Sequence, residues 1–131
     1  MKKILVADVQ QMEVRYLSAF AGWEIAFART MSEARRALAA ARYDLVAIGV
    51  YFDDSQMFDL LPVIRGDTVH GDVPVMCVRG RTGFTAITGR TLEMTVKALA
   101  ADEFIDLLHF GDDDGGNAAL RGTAERLVSG R

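Results

Sequence analysis

The residues that could do chemistry in this chain cluster just after apolar runs. Asp8 closes the run Ile4-Leu5-Val6-Ala7, Asp53 and Asp54 follow the run that ends at Val50, and Arg79-Gly80-Arg81-Thr82-Gly83 follows the run from Val73 to Val78. Two acids from different loops suit a hard cation or a phosphoryl group, because carboxylates ligate the metal and the metal offsets charge built up in transfer. Asp8 with Asp53 is the pair that would do this. A lone acid at a strand end is more often solvated or a helix cap, and that is the favoured reading of Asp8. For Asp53 and Asp54, too, a helix cap and loop solvation is the favoured reading. The segment Arg79, Gly80, Arg81, Thr82, Gly83 suits an anion: glycines let the backbone approach, helix amides favour negative charge, and arginines clamp phosphate. It lacks the Gly-Lys-Ser/Thr ending of a phosphate loop, and a solvated loop is the default for it.

The remaining reactive residues carry less. His70 and His109 are far apart and have no metal-ligand spacing around them, so both read as loop or strand-end residues. Cys77 lies among Val75, Met76 and Val78 and reads as a buried small hydrophobe. Asp112-Asp113-Asp114 lacks the spacing of a calcium loop and reads as a solvating turn. Arg35, Arg36 and Arg42 read as a solvated helix face. No nucleophile–base pair or dinucleotide fingerprint is present, so the sequence points to no enzyme, no cofactor and no dedicated metal centre.

These residues are carried by 131 amino acids with a formal net charge of -3, 50% of them hydrophobic and 25% charged. That length suits one domain spanning 1–131, and the composition supplies a sizeable core. The mild acidity argues against a nucleic-acid partner. The run at Ile4–Ala7 is too short for a signal sequence or a membrane span. One cysteine makes no internal disulfide, so a reducing, cytoplasmic setting is expected.

Buried strands and amphipathic helices alternate five times. The strands read as Ile4–Ala7, Trp23–Ala28, Asp44–Val50, Val73–Val78 and Glu103–Leu108. Helices read as Gln10–Ala21, a second one after the Thr30/Glu33 capping box, Met57–Arg65, Thr91–Ala101, and a last one capped by Asn117. Pro62 implies a kink in the third helix or a start near Asp59. Gly66–Asp72, Arg79–Gly89 and His109–Gly116 read as loops. Such alternation predicts an α/β doubly wound, five-stranded parallel sheet covered on both faces. Ligands in such folds gather beyond the carboxyl ends of the strands, where the candidate residues above fall.

With these pieces in order, the chain resembles the receiver (CheY-like) domain of response regulators over about residues 3–128. Ile4-Leu5-Val6-Ala7-Asp8 is similar to its first strand, Tyr43–Ile48 to its third, Val73-Pro74-Val75-Met76 to its fourth, and Ala98–Ile105 to the run into its fifth. The resemblance implies a flavodoxin-like sheet in order 2-1-3-4-5. It also implies a site in which two acids after the first strand and an acceptor aspartate after the third hold magnesium, helped by a Thr or Ser and a Lys. Asp8 matches the first acid. Val9 stands at the second, Gly49 at the acceptor, Arg79 at the hydroxyl and Leu107 at the lysine, while Phe104 stands at the aromatic switch.

The resemblance therefore implies a degenerate pseudo-receiver, a phosphorylation-incompetent signalling module of a two-component pathway. As a stand-alone adaptor, monomer or homodimer, it would meet a histidine kinase or a regulator through residues about 91–127. The alternatives are an anion- or nucleotide-sensing domain built on Arg79–Gly83, and a receiver whose acceptor is displaced to Asp53.

Overall fold

The computed structural model describes residues 1–80 and 87–130 of the chain. Five parallel strands, β1 (Lys3–Ala7), β2 (Glu24–Ala28), β3 (Leu45–Gly49), β4 (Val75–Arg79) and β5 (Glu103–Asp106), form one sheet in the order β2-β1-β3-β4-β5. Its register pairs Ala7 with Ile48, Ile48 with Cys77, and Arg79 with Asp106. The central strands β3 and β4 are buried along their whole length, which is why they read as unbroken apolar runs rather than as alternation.

Helices α1 (Glu13–Ala19) and α5 (Asp113–Ser129) cover one face. Met12, Tyr16, Phe20, Leu120 and Ala124 meet Ile4, Val6, Ala47 and Val78 there. Helices α2 (Met31–Ala40), α3 (Met57–Gly66) and α4 (Gly89–Ala98) cover the other, where Leu38, Leu60, Leu61, Ile64, Leu92 and Val96 meet Leu5, Val46, Ile48 and Cys77. Each fully buried large side chain of this kind contributes roughly 1.5–3 kcal/mol relative to exposure. Among the described residues no helix is long and apolar enough to cross a membrane.

Several boundaries differ from the sequence expectation, each for a local reason. Helix α1 is preceded by a 3-10 turn, Gln10–Met12, and begins at Glu13. Helix α3 starts at Met57, not Asp59, because the Gln56 carbonyl already accepts from the amides of Asp59 and Leu60 at 3.0 and 3.1 Å. Pro62 lies on its exposed side. Helix α4 spans Gly89–Ala98, because the Thr88 side chain accepts from the Thr91 amide and caps it there. Strand β5 ends at Asp106, whose carboxylate accepts from the Leu108 amide and turns Leu107–His109 into a 3-10 turn.

The last helix begins at Asp113, with Asp112 as its cap, and not at Asn117. The Asp112 carboxylate accepts from the Gly115 amide at 2.7 Å, and Asp113 and Asp114 then sit in the first turn, where negative charge is favoured. Asn117 instead accepts from Arg15 Nε of α1 at 3.1 Å. Gly116 makes room for that arginine, since a Cβ there would run into the guanidinium.

At the amino ends of the strands, Trp23 packs edge-on against Phe20 at 5.2 Å, with the Arg121 guanidinium 5.9 Å from its ring. At the same end His70 is 1% exposed. Its Nδ1 lies 2.8 Å from Asp67 Oδ2, and its Nε2 accepts from the Tyr43 amide at 3.3 Å. Accepting at Nε2 places the proton on Nδ1, so the ring donates to Asp67. That hydrogen bond holds the Asp67 carboxyl below its ordinary range. His70, read from the sequence as a loop or strand-end residue, lies in the turn before β4 and bridges it to the start of β3. Replacing it by alanine leaves the Tyr43 amide without its acceptor. We expect His70→Ala to lower stability by about 1–3 kcal/mol, read from the urea midpoint, and His70→Gln to recover part of the loss by restoring an acceptor.

Candidate functional site

The residues that follow β1, β3 and β5 meet the end of β4 at the carboxyl edge of the sheet. Because Ala7 pairs with Ile48, the next residues, Asp8 and Gly49, stand side by side. Asp8 is 2% exposed. Its Oδ1 accepts from the Val9 amide at 2.7 Å and its Oδ2 from the Tyr16 hydroxyl at 2.9 Å. Gly49 is buried too, and a Cβ built on it would fall inside the Asp8 carboxyl group. The two positions therefore share one side-chain volume, and Asp8 fills it. Burial pushes the Asp8 carboxyl up to about 6, against the opposing pull of the Val9 amide and the Tyr16 hydroxyl. Burial first, and Asp8 second, keep the Tyr16 phenol protonated far above its ordinary range.

The other receiver-like positions carry side chains committed elsewhere. Val9 is half-buried and packs on the layer beneath α1. Leu107 is fully buried in that same layer with Met12, Tyr16 and Leu120. Phe104 is half-buried and packs against the opposite layer. Arg79 forms a two-pronged ion pair with Asp106, Nε to Oδ1 at 3.1 Å and Nη2 to Oδ2 at 2.5 Å, and its Nη1 donates to the Ile87 carbonyl at 2.6 Å. Both partners are buried, at 6% and 7% exposure. Burial disfavours the Asp106 carboxylate, but Arg79 and the Leu108 amide outweigh it and hold the carboxyl below its ordinary range.

The favoured reading of Asp8 as a solvated acid or helix cap is corrected by its burial, and two alternatives raised by the sequence meet competing contacts. Three of the five N–H donors of Arg79 are already engaged by Asp106 and Ile87. The close approach at Gly80 serves the core instead, since a Cβ there would lie 2.7 Å from Met12 Sδ. Arg81, Thr82 and Gly83 lie outside the described residues. Asp53, second, does not meet Asp8. The chain from Asp53 to Ser55 runs through positive φ (44°, 56° and 64°), and Asp53 Oδ2 accepts from the Met31 amide at 2.9 Å. It thereby helps Thr30, which accepts from the Glu33 amide, to cap α2.

Among the described residues no group of three or more His, Cys, Asp or Glu is placed to hold a metal. The magnesium that the resemblance implies does not fit here: one dry carboxyl near neutrality, an apolar Val9 and a side-chain-less Gly49 make no ligand set. The sequence reading missed two residues of this site. Tyr16 looked like one more apolar position of a helix, and Asp106 sat unnoticed inside a predicted strand. The available signal was a charged residue of each sign ending two neighbouring strands, Arg79 and Asp106. Beside them, a cavity of about 260 Å³ is lined by Gly89, Arg90, Glu93, Phe104, Asp106 and His109.

Compared by sequence, the chain matches no family model and no curated protein. Its structure is similar to solved receiver domains. The phosphorylated cyanobacterial phytochrome response regulator RcpA is 19% identical, with 99% of this chain and 96% of that one covered and a TM-score of 0.78. A response regulator from Thermotoga maritima is 17% identical, with 98% of each chain covered and a TM-score of 0.76. The receiver domain of the sensor histidine kinase PA1611 from Pseudomonas aeruginosa, solved with magnesium in its active-site cleft, is 14% identical, with 98% and 97% covered and a TM-score of 0.72. At these identities the likeness establishes the CheY-like fold.

The buried Asp8 gives a pH test. With its folded value raised from 3.8 to about 6, the native chain binds the proton more tightly than the unfolded chain between those values. Its contribution to stability is therefore full below about pH 4 and is lost as the pH climbs through 6. Asp8→Asn removes this dependence. Relative to the parent, the variant should gain on the order of 3 kcal/mol between pH 4 and 7.5, on top of any constant offset, measured by urea titrations at each pH. A difference between the two proteins that stays flat with pH would show Asp8 to be ionised and well solvated.

Proposed function

We propose that this chain is a receiver-like signalling module that takes no phosphoryl group and acts by binding a protein partner in a two-component type of pathway. The observation that supports this most is the shared volume of Asp8 and Gly49. Acyl phosphate formation needs a carboxylate at the acceptor position, and Gly49 offers none. The space where that carboxylate would stand holds Asp8, hydrogen-bonded to Tyr16 and Val9. Leu107 and Val9 add no ammonium group and no second acid.

Without transfer chemistry, selectivity must come from a surface. We assign it to α4, β5 and α5, residues about 91–127, where Met94 and Leu108 are 63% and 52% exposed. A histidine kinase or a regulator is the class of partner the fold favours. Such a partner selects a conformation only through its differential affinity for it.

The direct test is incubation with acetyl phosphate and magnesium followed by intact mass measurement. The expected result is no gain of a phosphoryl group. A gain that Asp53→Asn abolishes would overturn the reading and restore a displaced acceptor. Gly49→Asp alone should also stay unlabelled, because its new side chain collides with Asp8. It should cost about 1–3 kcal/mol from overpacking, read from the denaturant midpoint.

A further inference from the structure

Arg79 and Asp106 do more than neutralise each other. Gly89, the first residue of α4, sits directly against the pair: a Cβ on it would lie 2.6 Å from Asp106 Oδ2 and 3.3 Å from Arg79 Nη2. No larger residue brings the helix start this close. Two residues earlier, the Ile87 carbonyl accepts from Arg79 Nη1 at 2.6 Å. The Asp106 carboxylate, at the start of a ten-residue helix, also meets the favourable end of its dipole. The approach to α4 is thus held by a strand-end arginine on β4, an aspartate on β5 and a glycine that permits contact. Both charges are buried, so separating them would leave unpaired charge in a dry site.

We infer that the Arg79–Asp106 pair is a fixed clamp that sets the position of α4 against β5, and with it the α4–β5 surface, without any transferred group. The importance of that surface rests on the function proposed above; the clamp itself does not. A helix fixed in this way presents one surface continuously, and displacing it requires breaking a two-pronged buried ion pair. The clamp runs from Arg79 at one strand end to Asp106 at the next. A partner that moved α4 would therefore be coupled to the sheet edge through these two residues.

Amide hydrogen exchange on the full chain tests the clamp without any partner, so its outcome is separate from that of the labelling experiment. Gly89→Ala is the informative variant. Alanine is the better helix former, so propensity alone would slow exchange in α4. The clamp predicts the reverse, because the added methyl pushes the helix off Asp106. Exchange at Thr91, Leu92 and Glu93 should rise about tenfold, while amides of β1 and β3 stay within about twofold of the parent. The double variant Arg79→Met with Asp106→Leu replaces the pair by apolar groups of similar size, which buried ion pairs commonly tolerate. It should fold and show the same local acceleration. Unchanged or slowed α4 exchange in Gly89→Ala would overturn the clamp. So would a double variant in which α4 and the central strands accelerate equally.

Discussion

Neighbouring strands of a sheet lie about 4.8 Å apart, so a side chain that turns sideways beyond a strand end enters the space of its neighbour. At the carboxyl edge of this sheet the contest is between positions 8 and 49. Gly49 does not have a positive φ, so its backbone does not call for glycine; the volume does. Once Asp8 fills that volume it is shielded from water. The Tyr16 hydroxyl must then turn inward to meet it, and α1 must lie close enough to bring the hydroxyl there. The wall of this edge follows from one missing side chain.

The same economy holds around the rest of the edge. Asp8 is spent on Val9 and Tyr16, Asp53 on the first turn of α2, and Arg79 on Asp106 and Ile87. These polar groups look like ligands when read as a string, because ligands and internal caps draw on the same residue types. Three-dimensional commitment separates them. Their donors and acceptors face other parts of the chain.

The layered architecture was legible because burial on both faces leaves unbroken apolar strings, as at Ile4–Ala7, Leu45–Val50 and Val75–Val78. Helix ends were less so, since they depend on contacts from afar. The glycines at 115 and 116 argued against a helix start at Asp113, yet Gly116 is small because Arg15, about a hundred residues earlier, needs its space. Asp53 caps a helix that begins 22 positions before it, a partnership no local window shows. Asp106 was hidden by strand periodicity, and its meaning emerges only from the β4–β5 register. Spacing carried the scaffold; pairings between distant segments determined what the edge can do.

Trp23, the one tryptophan, stands at the far end of the sheet from all of this. Phe20 and Arg121 enclose it, and the nearby strand β2 runs from there toward Asp8. Its emission therefore follows the docking of α1 and α5 on the amino rim. The Tyr16 ring, stacked on Phe20 at 6.4 Å, links it to the Asp8 end of α1. The molecule carries a natural optical gauge of whether the two helices of that layer are docked on the sheet.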